Sequence, residues 1–215
     1  MSVHLHVRSS YTLLNSTLRI HDIVALAKQH GYSSVALCDK HVMHGAMAFH
    51  HECEKQGIHA IYGMECECIH EDLPLSFLLL AKDDQGYQDL LALSTRYKTD
   101  RTPLTFMQLC TYSSHCITLS AGDNDALQSA VIKEDIEQIK QLLTLFQESF
   151  TQFYCSIACN DSGLLKIKNL ILKQCAKELK IPTCALSRIY YGSAQDEESY
   201  RILCAIDQGV TLNDK

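Results

Sequence analysis

The stretch Ser76-Phe77-Leu78-Leu79-Leu80-Ala81 carries an apolar run that shows no alternation. A strand with one face in water alternates apolar and polar residues, so this run reads as a strand covered on both faces, as in sheets flanked by helices. Working outward, Gly86 precedes a helical pattern over Tyr87–Tyr97. Upstream, Ala60–Cys66 and Ser34–Leu37 read as strands, separated by a helix over Ala46–Gln56 that stops at Gly57. Ile20–His30 reads as a helix ending at Gly31, and Val3–Val7 as the first strand. Downstream, strands at Cys116–Leu119 and Phe153–Ile157 flank a helix over Asp135–Phe146. A long amphipathic helix, Leu164–Leu179, a strand at Pro182–Leu186 and a closing helix over Gln195–Ile206 complete the chain. Strand–helix alternation with short connections argues a parallel α/β fold, and roughly seven such units suggest a barrel rather than an open sheet.

Composition sets the outer limits. The 215 residues are 47% hydrophobic and 20% charged, with three prolines and nine glycines, which excludes disordered and collagen-like classes. Nineteen Lys and Arg against 25 Asp and Glu give a net charge of −6, without the basic excess usual for nucleic-acid binding. No apolar run is long enough to span a bilayer, and Met1-Ser2-Val3-His4 lacks the basic and apolar regions of a signal peptide. Eleven cysteines without a Cys-x-x-Cys pair read as reduced thiols in a cytoplasmic protein, and Cys38, Cys110, Cys116, Cys184 and Cys204 have apolar neighbours. Cys66 and Cys68 offer two thiols to one side of a strand, but no second pair with zinc-site spacing accompanies them, so they read as structural.

In such folds chemistry gathers at the C-terminal ends of strands. On the first strand His4, His6 and Arg8 point to one face and Leu5 and Val7 to the other. Two histidines at that spacing suit either a metal pair or hydrogen-bonded inner-face residues. In Ala36-Leu37-Cys38-Asp39-Lys40-His41-Val42-Met43-His44, Asp39 sits where a strand ends. It is either part of a site with His41 and His44 or a cap for the turn and the next helix. Glu65 stands near the end of a third strand. Neither a glycine-rich phosphate loop nor a Ser or Cys nucleophile elbow is present.

Read together, these stretches resemble a known family. His4-Leu-His-Val-x-Ser-x-Tyr-x-Leu-Leu-Asn-Ser16, Ala36-Leu-x-Asp39 and Gly45-Ala-x-x-Phe49 are similar to the PHP (polymerase and histidinol phosphatase) domain. Ile61-x-Gly63-x-Glu65, Leu80-Ala-Lys-Asp-x-x-Gly-Tyr-Gln-Asp-Leu-Leu91, Ile181-Pro-Thr183 and Tyr200-Arg-Ile-Leu-x-Ala-Ile206 narrow the likeness. They resemble the PHP domain at the N-terminus of bacterial DNA polymerase III alpha subunits. Asn15-Ser16 and Val42-Met43-x-Gly45 are most like the error-prone form of low-GC Gram-positive bacteria.

The resemblance implies a distorted (β/α)7 barrel of the PHP type, with residues 1–215 as one PHP domain and an N-terminal fragment of a much longer polymerase subunit. It implies a site for two or three metal ions in the members that bind metal. Carried over residue by residue, that site is degenerate here. Ligand positions fall on His6, Arg8, Asn15, Lys40, Glu65, Asn160, Ser187 and Ile189, and of these His6 and Glu65 keep a ligand's chemistry. The expectation is a structural and interaction domain, without cofactor or catalytic residue of its own, in which Arg8 or Lys40 pairs with Glu65 in place of an ion. His41 or His44 would be the substitutes if any metal binding persists. The intact subunit would be a DNA-directed DNA polymerase, with magnesium in its absent palm and primer-template DNA and replisome proteins as partners. The rival expectation is an active metal-dependent phosphoesterase or 3′–5′ proofreading exonuclease.

Overall fold

A computed structural model describes residues 3–100, 102–121, 125–158 and 163–211, with the backbone alone at 163–168. The chain divides into two compact units, residues 1–64 with 188–215, and residues 65–187.

The first unit holds β1 (His6–Val7), α1 (Ile20–Gln29), β2 (Ser34–Lys40), α2 (Ala46–Gln56) and the beginning of β3 (His59–His70). It also holds the late elements β8 (Arg188–Ile189), a short 3-10 helix (Ala194–Asp196) and α8 (Glu197–Gln208). Apolar residues at 20, 23, 24 and 27 give α1 one apolar face, and Ile23, Val24 and Ala27 are buried. That face packs on Val7, Val35, Leu37 and Phe49 to form the core of the unit. Helix α2 runs over the expected residues and stops because Gly57 adopts φ 70°, a left-handed conformation that costs glycine little. β1 pairs in parallel with β8, His6 opposite Arg188 and Val7 opposite Ile189. The first strand is shorter than expected, two residues rather than Val3–Val7.

The second unit carries the rest of β3, then β4 (Leu73–Ala81), α3 (Asp84–Thr99), α4 (Phe106–Thr111), β5 (Cys116–Ser120) and α5 (Ala126–Ile132). α6 (Ile136–Ser149), β6 (Phe153–Ala158), α7 (Gly163–Glu178) and β7 (Thr183–Leu186) follow. Leu75, Phe77, Leu78, Leu79 and Leu80 of β4 are all buried, as an unbroken apolar run requires. Phe77 is the centre of an aromatic core, its ring centroid 4.9 Å from those of both Phe146 and Phe150.

The all-parallel expectation is corrected here. β3 and β4 are neighbours joined by two residues, Glu71 and Asp72, at φ 48° and 68°. Positive φ at both central positions makes a mirror-image turn, and so short a link joins only antiparallel strands. β4 and β5 are antiparallel as well, while β5–β6 and β6–β7 are parallel. Helices α4 and α5 escape sequence periodicity because they are too short to show it. Each is fixed at its start by a cap: Thr105 and Gln108 bond reciprocally for α4, and Asp125 accepts from the Gln128 amide for α5.

Candidate functional site

In the first unit the chain leaves β1 through Arg8 and Ser9 and loops to Leu18. Backbone bonds hold the ends of this loop: Ser10 N donates to Leu18 O (2.7 Å) and Arg8 N to Ile189 O (3.1 Å). Ser16 Oγ stands 2.8 Å from both the Arg8 and the Tyr190 carbonyl oxygens, so one hydroxyl ties the loop to the end of β8.

Asp39, at the end of β2, organises the other side. Its carboxylate accepts from Ser9 N, Ser9 Oγ and Thr12 Oγ1, each at 2.7 Å. Thr12 Oγ1 in turn accepts from Lys40 N at 3.0 Å. Burial raises the pKa of Asp39, against the opposing pull of the Ser9 and Thr12 bonds and of the Arg8 charge. The sequence-based alternative, that Asp39 caps the turn and the next helix, is corrected: the N-cap of α2 is Gly45, which offers no side chain. Asp39 instead fastens the β1–α1 loop to β2. Sequence reasoning passed over Ser9 and Thr12, because Ser and Thr in a loop are common and only their distance to Asp39 marks them.

His6 is fully buried and Arg8 is 8% exposed. The Arg8 guanidinium lies over the Tyr190 ring, 4.8 Å from its centroid, within cation–π range. Asn15 is turned elsewhere, its amide donating to Asp207 Oδ2 on α8 at 3.0 Å. Lys40 and His41 are half-buried, and His44 is exposed. His41 takes φ 60° in the turn after β2.

The β1–β8 register shows which way Ile189 faces. Ile189 pairs with Val7 and packs against the apolar core, so it does not share the face of His6. Residues paired across parallel strands point to the same side, so Arg188 shares the His6 face. In the second unit Glu65 is buried on β3, and Ser187 is half-buried between β7 and β8. Asn160 lies outside the described residues. Among the described residues no group of three or more His, Cys, Asp or Glu side chains is placed to hold a metal ion. Nor is any described helix long and apolar enough to cross a membrane.

Comparisons with known proteins place this arrangement. The chain is 34% identical to the DNA polymerase III alpha subunit of Bacillus subtilis and 30% identical to that of Halalkalibacterium halodurans. Each match covers 99% of this chain but only 19% of the relative, so the chain spans about a fifth of their length. Its fold is similar to that of an amidohydrolase from Chromobacterium violaceum, at TM-score 0.63 and 10% identity over 90% of this chain and 89% of that one. It is also similar to a metal-dependent phosphoesterase from Bifidobacterium adolescentis described as putative, at TM-score 0.57 and 10% identity over 94% and 95%. Residues 4–162, which carry β1 with its buried His6 and Arg8, the Asp39 cluster and Glu65, match the PHP domain family, and the chain belongs to that family.

Proposed function

We propose that this chain is the PHP domain of a DNA polymerase III alpha subunit, a single domain on the PHP barrel, and that it works as a structural and interaction domain without metal. The intact protein would then be a cytoplasmic DNA-directed DNA polymerase. Its partners would be primer-template DNA, the rest of the subunit and replisome proteins.

One observation carries the metal-free reading: a buried arginine, Arg8, occupies a position where the family resemblance places a ligand, and its charge is held against Tyr190. A divalent ion needs four or more donors, and a fixed cation among them opposes it. Lys40 adds a second cation, and Asn15 is engaged with Asp207. The residues therefore do not fit a metal cluster, and no hydrolytic step through metal-activated water follows from them. By the same reading, Arg8 and Lys40 supply the positive charge that Asp39 would otherwise draw from an ion.

The test is metal analysis of the purified chain with an assay of phosphoester and primer-end hydrolysis in manganese. We expect neither stoichiometric metal nor hydrolysis. A manganese-dependent activity that co-purifies with the chain and disappears in Glu65→Ala would establish the phosphoesterase or exonuclease reading instead. Sequencing the gene beyond Lys215 tests the polymerase assignment separately.

A further inference from the structure

We propose that the cavity on the α1 side of β1 and β8 is a binding site for an uncharged flat aromatic ring with a hydrogen-bonding edge, in chemical class a nucleobase carried by a free nucleoside. The proposal is independent of the metal reading, because neither Asp39, Arg8 nor Lys40 lines this cavity.

The cavity lies wholly within the first unit and measures about 650 Å³, inside the range of about 300–1,000 Å³ usual for small-molecule sites. Its floor is apolar, formed by Val7, Leu18, Val35 and Ile189. Its polar lining residues are four tyrosines, two histidines and Arg188, and no carboxylate lines it. Arg188 contributes to the wall, but its register with His6 turns its side chain to the opposite face from Val7 and Ile189. A charged ligand would give up its water here without a facing counter-charge, so an uncharged one is favoured.

The tyrosines define the shape of the ligand. Tyr190 and Tyr200 are stacked with centroids 5.5 Å apart and planes 15° from parallel, and Tyr191 lies 5.4 Å from Tyr200. Such a wall suits a second flat ring. The rim supplies the edge partners: Tyr32 OH and His4 Nε2 are hydrogen-bonded to each other at 3.1 Å, and the phenol oxygen, which can both donate and accept, has capacity left for the edge of a base. Gly192 keeps the wall thin, since a Cβ there would come within 3.0 Å of Leu26 Cδ1 and 3.4 Å of Leu18 Cδ2. The net charge of −6 disfavours a polynucleotide as the source of the base.

The experiment is calorimetric titration of the chain with adenosine, adenosine monophosphate and a single-stranded oligo(dA). Adenosine is expected to bind once per chain with a Kd on the order of 100 µM, the strength usual for a ligand of its size. The monophosphate should bind no more than about threefold tighter, since the cavity offers phosphate no counter-charge. Tyr200→Ala should weaken adenosine by about tenfold or more through lost stacking. Gly192→Leu should fill the cavity and abolish binding, with circular dichroism reporting whether each variant is folded. Absence of saturable binding up to about 5 mM adenosine would overturn the proposal, as would unchanged affinity in a folded Tyr200→Ala or Gly192→Leu chain. Much tighter binding of the monophosphate would reassign the cavity to anions, and much tighter binding of oligo(dA) to nucleic acid, and either result overturns it too.

Discussion

The guanidinium of Arg8 stands 4.8 Å from the centroid of the Tyr190 ring, and Tyr190 is itself stacked on Tyr200 at 5.5 Å. This stack joins the end of β1 to β8 and α8, so Arg8 is a structural residue as well as a charge. Arg8→Met should lower stability by about 2–3 kcal/mol, from the lost cation–π contact and from an Asp39 carboxylate deprived of its compensating charge. Arg8→Lys should lose about 1 kcal/mol, because an ammonium keeps the charge but does not stack. Urea denaturation followed by circular dichroism measures both. An Arg8→Met chain as stable as the wild type would remove the structural role.

The pH dependence of Asp39 has a definite sign. Burial, the largest influence, raises its carboxyl above the ordinary 3.8, so the folded chain holds the proton more tightly than the unfolded one. Its contribution to stability is then most favourable below 3.8 and declines as pH rises from 3.8 through the raised value. The stability of the wild type minus that of Asp39→Asn should fall across that window and level off above it. A difference that grows with pH would mean that the bonds from Ser9 and Thr12 outweigh burial.

Thiol reactivity should follow burial. Of the ten described cysteines, Cys38, Cys53, Cys66, Cys68, Cys116, Cys155 and Cys175 are buried, and burial pushes the Cys68, Cys116 and Cys155 thiols up to about 12. Iodoacetamide at pH 8, mapped by mass spectrometry, should label Cys184 and Cys204 at least about tenfold faster than Cys68, Cys116 and Cys155, since the thiolate is the nucleophile. Rapid labelling of Cys66 or Cys116 in the folded chain would contradict the packing of β3 and β5.

Gly86 is a sharper test of the α3–β5 contact. A Cβ at this position would lie 2.2 Å from the backbone oxygen of His115, which also accepts from Lys82 N at 3.1 Å and is held in place. Gly86→Ala should therefore cost about 3 kcal/mol, although alanine is the better helix former, and thermal unfolding should show it. A neutral Gly86→Ala would place His115 elsewhere.

The sequence by itself determined the elements that repeat one pattern over many residues. The unbroken apolar run of β4, the bounds of α2 with its glycine stop, and the i, i+3, i+4 face of α1 follow from periodicity and backbone preference, which are local. Three other features waited for the tertiary structure. The β3–β4 hairpin turns on Glu71-Asp72, a polar dipeptide without glycine that gives no clear sign of two left-handed residues. The facing of Ile189 cannot be read from a two-residue strand, which has no alternation, and only its pairing with Val7 shows it. Asp39 could be singled out, but its partners Ser9 and Thr12 lie 30 and 27 residues away, and no local spacing links a carboxylate to hydroxyls at that distance. Local chemistry decides which segments are helix or strand. Which side chains share a face, and whose charge a buried group answers, is decided when distant segments pack and exclude water.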